Sequence, residues 1–190
     1  IERLSMLVNF MIIGAQKAGS TSLYYQMKQH PQLEFCSLKE PWFFSKNENW
    51  HEKIKEYHDL FTQSPGKLYG EASTSYTWIP EFPDTAERIH AYNPDIKLIY
   101  IMRQPVERTI SHYTHHLLKA RTKYTKEEEI LNVPTYINHS RYAMQLRPYY
   151  ELFPFKNIFP IIFEEYIKDP IASLKAIANF LCIEPDAFDD

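Results

Sequence analysis

A glycine-containing segment near the start of the chain constrains the fold more than any other feature. Residues 14–21 read GAQKAGST and follow the apolar run FMII at residues 10–13. A strand, a glycine loop and a helix in this order are typical of loops that bind phosphate through backbone N–H groups at a helix N-terminus. The sequence therefore predicts an anion-binding loop between the first strand and the first helix.

The lysine of this loop is displaced from its position in ATP-binding loops, whose pattern is G-x-x-x-x-G-K-[ST]. Gly14 and Gly19 have the required spacing, and Thr21 fills the hydroxyl position. Ser20, however, stands where the lysine is expected, and a lysine occurs three residues earlier, as Lys17. Its ammonium group is therefore expected to contact a group other than a γ-phosphate. A surface lysine in a tight turn is the alternative interpretation.

The size and charge of the chain limit the classes of function. The 190 residues carry 21 basic and 24 acidic side chains, and the net charge of −3 provides no overall positive field to attract nucleic acid. This length predicts a single domain over residues 1–190. The apolar stretch at residues 6–13 is too short to span a membrane. We expect a cytoplasmic protein, or a Golgi-luminal one if an anchor precedes this segment; the sequence does not indicate an oligomeric state.

Apolar runs alternate with helical stretches along the chain. The predicted strands are residues 8–13, 33–36, 68–71, 97–102 and 158–163. The predicted helices are residues 20–30, 84–92, 105–119, 140–153 and 170–181. Near-continuous apolar strands separated by helices are typical of a parallel sheet that is covered on both faces. The pattern therefore predicts an α/β three-layer sandwich with a roughly five-stranded parallel sheet, of the P-loop nucleotide-binding type.

Three local signals refine this prediction. Pro160 lies inside the fifth strand and predicts an edge strand or an irregularity. Asp84 with Glu87 three residues later predicts a capping box at the start of the second helix. The charge-dense segment 119–129 predicts a solvated excursion.

The fourth strand ends in a cation. Mg²⁺-dependent nucleotide hydrolases commonly carry a metal-binding aspartate at this point, but this chain has Arg103, which predicts a second anion site. Ser111 follows eight residues later and is able to point back toward the same ligand, although an ordinary helix serine is an equal alternative. Arg108 is a nearby reserve cation.

Glu40 is the candidate general base. It belongs to the segment KEPWFF at residues 39–44, directly after the second strand. Because ligands of open parallel sheets bind outside the carboxyl ends of the strands, Glu40 is expected near the anion cleft. A carboxylate beside an aromatic wall is partly desolvated and becomes a better proton acceptor. A surface Lys–Glu pair is the alternative interpretation.

Two histidines four residues apart form a weaker candidate, for a metal site. His112 and His116 share one face of the third predicted helix, and His115 is adjacent. No cysteine or carboxylate at a suitable spacing joins them in the sequence, so a metal site is disfavoured.

The motifs together resemble the sulfotransferases that use 3′-phosphoadenosine 5′-phosphosulfate (PAPS). The resemblance is strongest to the branch that acts on heparan-sulfate-type glycans and to its bacterial relatives. It extends from about residue 9 to residue 181. The blocks that carry it are QKAGSTSL (16–23), KEPWFF (39–44), GEAS (70–73), RQPVER (103–108) with SHY (111–113), and the segment 140–154.

The resemblance implies transfer of a sulfuryl group from PAPS to a hydroxyl or amine, without a metal. The acceptor would be a carbohydrate or a small molecule, and the product nucleotide would be adenosine 3′,5′-bisphosphate (PAP). The residues implied to bind the donor's 5′-phosphosulfate are Gln16, Lys17, Ala18, Gly19, Ser20, Thr21 and Ser22. Arg103 and Ser111 are implied to bind the 3′-phosphate. Glu40 matches the general base, and Lys17 is implied to stabilise the leaving phosphate oxygen.

Three features depart from the family pattern. Trp42 stands where some glycan enzymes have histidine, so polar support for Glu40 is expected to come from elsewhere. Ala72 replaces a lysine that several relatives carry, which weakens the inference to an anionic glycan acceptor. The chain ends at Asp190, whereas the family usually continues with a basic loop that closes over the 3′-phosphate and adenine. The domain is therefore expected to lack that segment.

Two other functions stay open on the sequence alone. A P-loop kinase or NTPase is opposed by Ser20 at the lysine position and by Arg103 at the metal position. A non-catalytic nucleotide-binding domain is the second alternative, since the closing segment is absent from this sequence.

Overall fold

The predicted strands form one parallel sheet in the computed structural model, which describes residues 7–62 and 64–188. The strands are β1 (Phe10–Gly14), β2 (Leu33–Phe35), β3 (Leu68–Ala72), β4 (Lys97–Met102) and β5 (Ile158–Ile162). Their order is β2-β3-β1-β4-β5, and all four neighbouring pairs are parallel. The predicted α/β fold with a five-stranded parallel sheet is confirmed. β5 lies at an edge, as Pro160 predicted.

Long and short helices flank the sheet. The helices are α1 (Ser20–Met27), α2 (Phe43–Lys46), α3 (Ile54–His58), α4 (Thr85–Tyr92), α5 (Pro105–Leu118), α6 (Lys126–Asn132), α7 (Thr135–Asn138), α8 (Tyr142–Leu152), α9 (Phe163–Lys168) and α10 (Pro170–Leu181). The predicted helices correspond to α1, α4, α5, α8 and α10. Across the described part of the chain, no helix combines the length and the apolar character that crossing a membrane requires.

The starts of α5 and α4 show when a capping signal succeeds. The Gln104 side chain accepts the Glu107 backbone N–H at 2.8 Å, and Pro105 occupies the first turn of α5. Asp84 precedes α4, but its side chain makes no capping hydrogen bond. It contacts Nη2 of Arg88 at 3.3 Å instead. The predicted capping box at α4 was therefore wrong, because an ion pair one turn along the helix takes the carboxylate.

The charged segment 119–129 is partly integrated into the fold. Glu129 is buried, and its carboxylate accepts the backbone N–H groups of Lys123 and Tyr124 at 3.0 and 3.2 Å. A buried carboxylate needs such donors to offset its desolvation. Segment 119–129 was predicted to be solvated. That prediction was wrong at the C-terminal end of the segment, where Glu129 of α6 is buried.

The topology brings the two predicted anion sites together. From β1 the chain crosses to β2 on one side of the sheet, and from β4 it crosses to β5 on the other side. Ligands of open parallel sheets bind where such connections diverge. Residues 15–19 follow β1, and residues 103–104 follow the neighbouring strand β4. Both segments therefore lie where the connections diverge.

Candidate active site

The loop between β1 and α1 has the backbone of an anion cradle. Gly19 precedes α1 with φ 98°, in the left-handed region, and supplies no capping side chain. A Cβ atom at Gly19 would lie 2.6 Å from the ring of Phe163, so both conformation and space exclude a side chain there. The first N–H groups of a helix have no intrahelical acceptor. Those of α1 are therefore available to an anion.

Lys17 lies in this loop, at the border of two cavities. The main cavity, of about 570 Å³, is lined by Lys17 together with Gln16, Ser20, Thr21 and Glu40 among others. The side cavity, of about 310 Å³, is lined by Lys17 together with Arg103 and Ser111 among others. Burial and the positive charges of Lys119 and Arg103 lower the pKa of Lys17. An anion bound at the loop would relieve this repulsion.

Ala18 and Ser22 lie apart from both cavities. Ala18 is buried, and its N–H donates to the carbonyl of Ala15 at 3.2 Å. The Ser22 hydroxyl lies 3.1 Å from that of Tyr166. The loop therefore brings four of its predicted side chains to the main cavity, namely Gln16, Lys17, Ser20 and Thr21.

Arg103 and Ser111 both line the side cavity. The Arg103 guanidinium packs 5.1 Å from the ring centre of Phe163, and its Nη2 lies 3.5 Å from a carboxylate oxygen of Glu107. Because the Glu107 side chain is 58% exposed, this ion pair is weak. Arg103 therefore keeps the capacity to bind a more highly charged anion.

Arg108 has a structural role. Its side chain is fully buried and donates to the carbonyl of Gln16 at 3.2 Å, to Oγ of Ser140 at 2.5 Å and to the carbonyl of Tyr136. Burial lowers the pKa of Arg108 to about 10, so the guanidinium stays charged at neutral pH. The prediction of a reserve anion-binding cation was wrong, because Arg108 instead ties the glycine loop to residues 136–140.

Glu40 is oriented by donors on both of its carboxylate oxygens. Oε2 accepts Nε1–H of Trp42 at 2.9 Å and the backbone N–H of Thr74 at 2.8 Å. Oε1 accepts Nζ of Lys39 at 3.1 Å. The Glu40 backbone N–H donates to the carbonyl of Ala72 at 2.9 Å. Polar support for Glu40 was expected to come from elsewhere than Trp42; Thr74 and Lys39 do supply it, but the expectation was wrong about Trp42, because its indole N–H is itself a donor.

A second carboxylate, which the site prediction missed, lies beneath Glu40. Glu71 is fully buried at the end of β3; Oε1 accepts the hydroxyls of Tyr57 at 2.9 Å and Tyr76 at 2.5 Å, and Oε2 accepts that of Ser73 at 3.1 Å. Burial raises the pKa of Glu71 to about 7, although the three donors oppose this shift. Oγ of Ser73 also accepts the backbone N–H of Trp42 at 3.1 Å. Glu71 therefore supports the loop that carries Glu40.

The histidines of α5 form a hydrogen-bonded chain. Nδ1 of His112 lies 3.3 Å from Nη1 of Arg108, and its Nε2 lies 3.2 Å from Nε2 of His116. Since arginine only donates, Nδ1 of His112 accepts and its Nε2 donates to His116. Burial and the charge of Arg108 lower the pKa of His112 to about 2, so this ring is neutral. Within residues 7–62 and 64–188, no three His, Cys, Asp or Glu side chains are grouped to hold a metal.

Positive side chains dominate the main cavity. Lys17, Lys119 and Arg121 line it, and none of them forms an ion pair with a described residue. Of the described residues in the lining, Glu40 is the single carboxylate, and Lys39 neutralises it. The local charge is therefore positive, although the whole chain carries −3.

Residues 8–190 match the family model described as the sulfotransferase domain. Heparan sulfate glucosamine 3-O-sulfotransferase 3A1 of Mus musculus is 29% identical over 190 residues, which cover 95% of this chain and 47% of that protein. Membrane-associated sulfotransferase kil1 of Dictyostelium discoideum is 38% identical over 116 residues, which cover 58% of this chain and 23% of that protein. The chain thus spans less than half the length of each of these two relatives.

Solved structures of sulfotransferases also resemble this chain. A sulfotransferase from Alicyclobacillus acidocaldarius has a TM-score of 0.81 and 29% identity, and the match covers 95% of this chain and 83% of that one. Mouse sulfotransferase SULT7A1, solved with PAP, shares the fold at a TM-score of 0.62 and 19% identity, with 93% of this chain and 58% of that one covered. Because the family model matches nearly the whole sequence, the chain belongs to the sulfotransferase domain family.

Proposed function

We propose that the chain transfers a sulfuryl group from PAPS to a hydroxyl or amine of an acceptor. The observation that carries this proposal is the meeting of two groups in one cavity: Lys17 on the anion cradle and the donor-oriented carboxylate of Glu40. A fixed cation and a fixed proton acceptor are what transfer of an anionic group to a hydroxyl requires. Membership of the sulfotransferase family supports the same reaction.

The residues present fit a donor with charged groups at both ends of one ribose. The N–H groups at the start of α1, with Ser20 and Thr21, would hold the 5′-phosphosulfate. Arg103 and Ser111 in the side cavity would hold the 3′-phosphate. Lys17 lines both cavities, so one ligand that spans them would contact it.

Each reacting group has a defined task in this proposal. Glu40 takes the proton of the acceptor as the acceptor oxygen or nitrogen forms its bond to sulfur. Lys17 stabilises the negative charge that develops on the phosphate oxygen as its bond to sulfur breaks. Sulfuryl transfer spreads charge over the equatorial oxygens, so positioning and electrostatic stabilisation supply most of the rate enhancement.

We propose that the acceptor is a sugar with an acidic substituent. Lys119 and Arg121 line the main cavity without an ion pair to a described residue, and they suit a carboxylate or sulfate on the acceptor. Trp42 and Trp78 also line it, with ring centres 5.5 Å apart, and contribute apolar surface that a sugar ring could contact. Ala72 is 2% exposed and contributes no side chain to this surface. The local charge therefore outweighs the absence of a lysine at Ala72, which weakened the inference to an anionic glycan acceptor.

Transfer of ³⁵S from labelled PAPS tests the proposal. We expect incorporation into heparan sulfate to exceed incorporation into the uncharged acceptor p-nitrophenol. Excess EDTA is expected to have no effect, because the cations Lys17 and Arg103 would supply the electrostatic stabilisation that Mg²⁺ provides in a nucleotide hydrolase. Loss of activity in EDTA that Mg²⁺ restores would favour a kinase-like protein. PAP binding without transfer to either acceptor would favour a non-catalytic nucleotide-binding domain.

A further inference from the structure

The two oxygens of the Glu40 carboxylate have different surroundings. Oε2 accepts two short hydrogen bonds from fixed groups, Nε1 of Trp42 at 2.9 Å and the backbone N of Thr74 at 2.8 Å. Oε1 accepts Nζ of Lys39, a long side chain that is 22% exposed. The Thr74 hydroxyl lies 3.3 Å from both oxygens and favours neither. Each carboxylate oxygen has two lone pairs, so Oε1 keeps the larger capacity to accept a proton.

Trp42 is itself held in place by contacts on both its backbone and its ring. Its backbone N–H donates to Oγ of Ser73 at 3.1 Å. Nζ of Lys46 lies 3.7 Å from the indole centre, a cation–π contact, and the ring of Trp78 packs edge-on at 5.5 Å. The indole N–H therefore points in one direction before any ligand binds. It is also a donor only, so its hydrogen bond to Glu40 does not depend on a tautomer.

We propose that Trp42 is a positioning residue for the transfer reaction and that Oε1 of Glu40 is the atom that takes the acceptor's proton. Trp42 and Thr74 anchor Oε2 and so fix the plane of the carboxylate. Lys39, Trp42 and Thr74 all line the main cavity, so the choice between the two oxygens rests on their donors: two fixed groups already occupy Oε2, whereas Oε1 accepts from the long side chain of Lys39. This inference rests on the proposed role of Glu40 as general base.

Indole N–H resonances test the contact without any substrate. The chain has three tryptophans, so ¹⁵N-labelled protein gives three indole signals, and Trp42→Phe identifies the one of interest. Glu40→Gln is expected to move the Trp42 signal upfield, because an amide oxygen is a weaker acceptor than a carboxylate. The Trp78 signal should move far less, since its Nε1 has no hydrogen-bond partner among the described residues. If the chemical shift of the Trp42 indole N–H is the same in the parental protein and in Glu40→Gln, the proposal is overturned.

Kinetics with labelled PAPS and heparan sulfate test the positioning role. Trp42→Phe keeps an aromatic ring and removes the N–H, so kcat should fall about tenfold while both KM values change less than about twofold. The acidic limb of the pH–rate profile should move to higher pH, because the ionised carboxylate loses a donor. Trp42→His restores a donor and should recover part of the loss. Trp50→Phe is the matched control, and it should keep the parental kcat, since Trp50 lines neither the main cavity nor the side cavity.

The variant Glu40→Gln distinguishes a failure of the proposed role of Glu40 from a failure of the positioning role of Trp42. If Glu40→Gln keeps the parental kcat, the base lies elsewhere and the proposed role of Glu40 fails. If Glu40→Gln loses transfer while Trp42→Phe keeps the parental kcat and pH profile, the positioning role alone fails. When Trp42→Phe is added to Glu40→Gln, no further loss is expected, because the N–H then has no base to position.

Discussion

The two walls of the main cavity differ in how their charges are held. On the carboxylate wall, formed by Glu40 and its donors, every charge has a partner within the protein. On the cationic wall, formed by Lys17, Lys119 and Arg121, no ion pair joins these residues to the described protein, and burial together with repulsion from Lys119 and Arg103 lowers the pKa of Lys17. The first wall is complete without a ligand, whereas the second is completed only by an anion. Substitutions on the carboxylate wall should therefore change the rate, and those on the cationic side should change binding as well.

The largest effect is expected from Glu40→Gln, which keeps the size of the side chain and removes its basicity. Because general-base catalysis contributes about 10²–10⁴-fold, kcat for labelled sulfate transfer should fall by that factor. The affinity for PAP, measured by calorimetry, should stay within about twofold of the parental value, since Glu40 belongs to the carboxylate wall. A collapse of PAP binding would remove the distinction between the two walls and give Glu40 a structural role.

Lys17→Ala should have the next largest effect. Removal of one preorganised charge from a transition state costs about 10²–10³-fold in rate. The thermal midpoint should be unchanged or slightly higher, because the substitution relieves repulsion from Lys119 and Arg103. Lys168→Ala is the matched control, since this exposed lysine on α9 lines neither cavity. Parental turnover in Lys17→Ala would contradict a role for this cation in transfer.

The support beneath the carboxylate wall is tested by the pH dependence of stability. Burial raises the pKa of Glu71 from 4.5 to about 7, so the folded chain holds this proton more tightly than the unfolded chain. The contribution of the group to stability is full below the unfolded value and is lost as pH rises through the folded one, by about 3 kcal/mol in total. Glu71→Gln should therefore flatten the dependence between about pH 5 and pH 8 in urea unfolding. An unchanged slope would show that another group causes it.

The smallest effect is expected in the side cavity. A hydrogen bond to a charged group contributes about 1.5–3 kcal/mol, so PAP should bind at least about tenfold tighter than AMP, which lacks the 3′-phosphate. Arg103→Ala should remove most of this difference in calorimetric titrations. Glu107→Ala removes the exposed carboxylate beside Arg103 and should preserve or increase the preference for PAP. Equal affinities of the parental chain for PAP and AMP would show that Arg103 does not bind the 3′-phosphate.

The sequence pattern predicted the five strands and the longer helices and missed the short helices. β4 and α10 have the predicted bounds, because turn residues and an N-terminal proline mark their ends. α2 and α3 contain four and five residues, too few for an apolar repeat to show a period. α1 ends at Met27 rather than at residue 30, since its last predicted residues form turns.

The site could be predicted in its components but not in its contacts. Strand order alone brings Lys17 and Glu40 to the same edge of the sheet, which motif reading anticipated. The backbone donor Thr74 is 34 residues from Glu40 in sequence, and this contact depends on the path of the chain after β3. Burial decides the role of Arg108, and a sequence pattern does not report burial of a cation. Glu71 did leave a signal, since a lone acid at the end of an apolar strand is unusual.

The contacts of Arg108 have a consequence for the order of folding. Its guanidinium joins a carbonyl 92 residues earlier in the chain, at Gln16, to one 28 residues later, at Tyr136. Contacts between distant segments form slowly, because loop-closure entropy is lost before they become favourable. A nascent chain that already includes the glycine loop therefore lacks a fixed anion cradle, because the contacts of Arg108 have not yet formed. We expect the capacity to hold an anion to be acquired late in folding, after α5 and α7 have packed together.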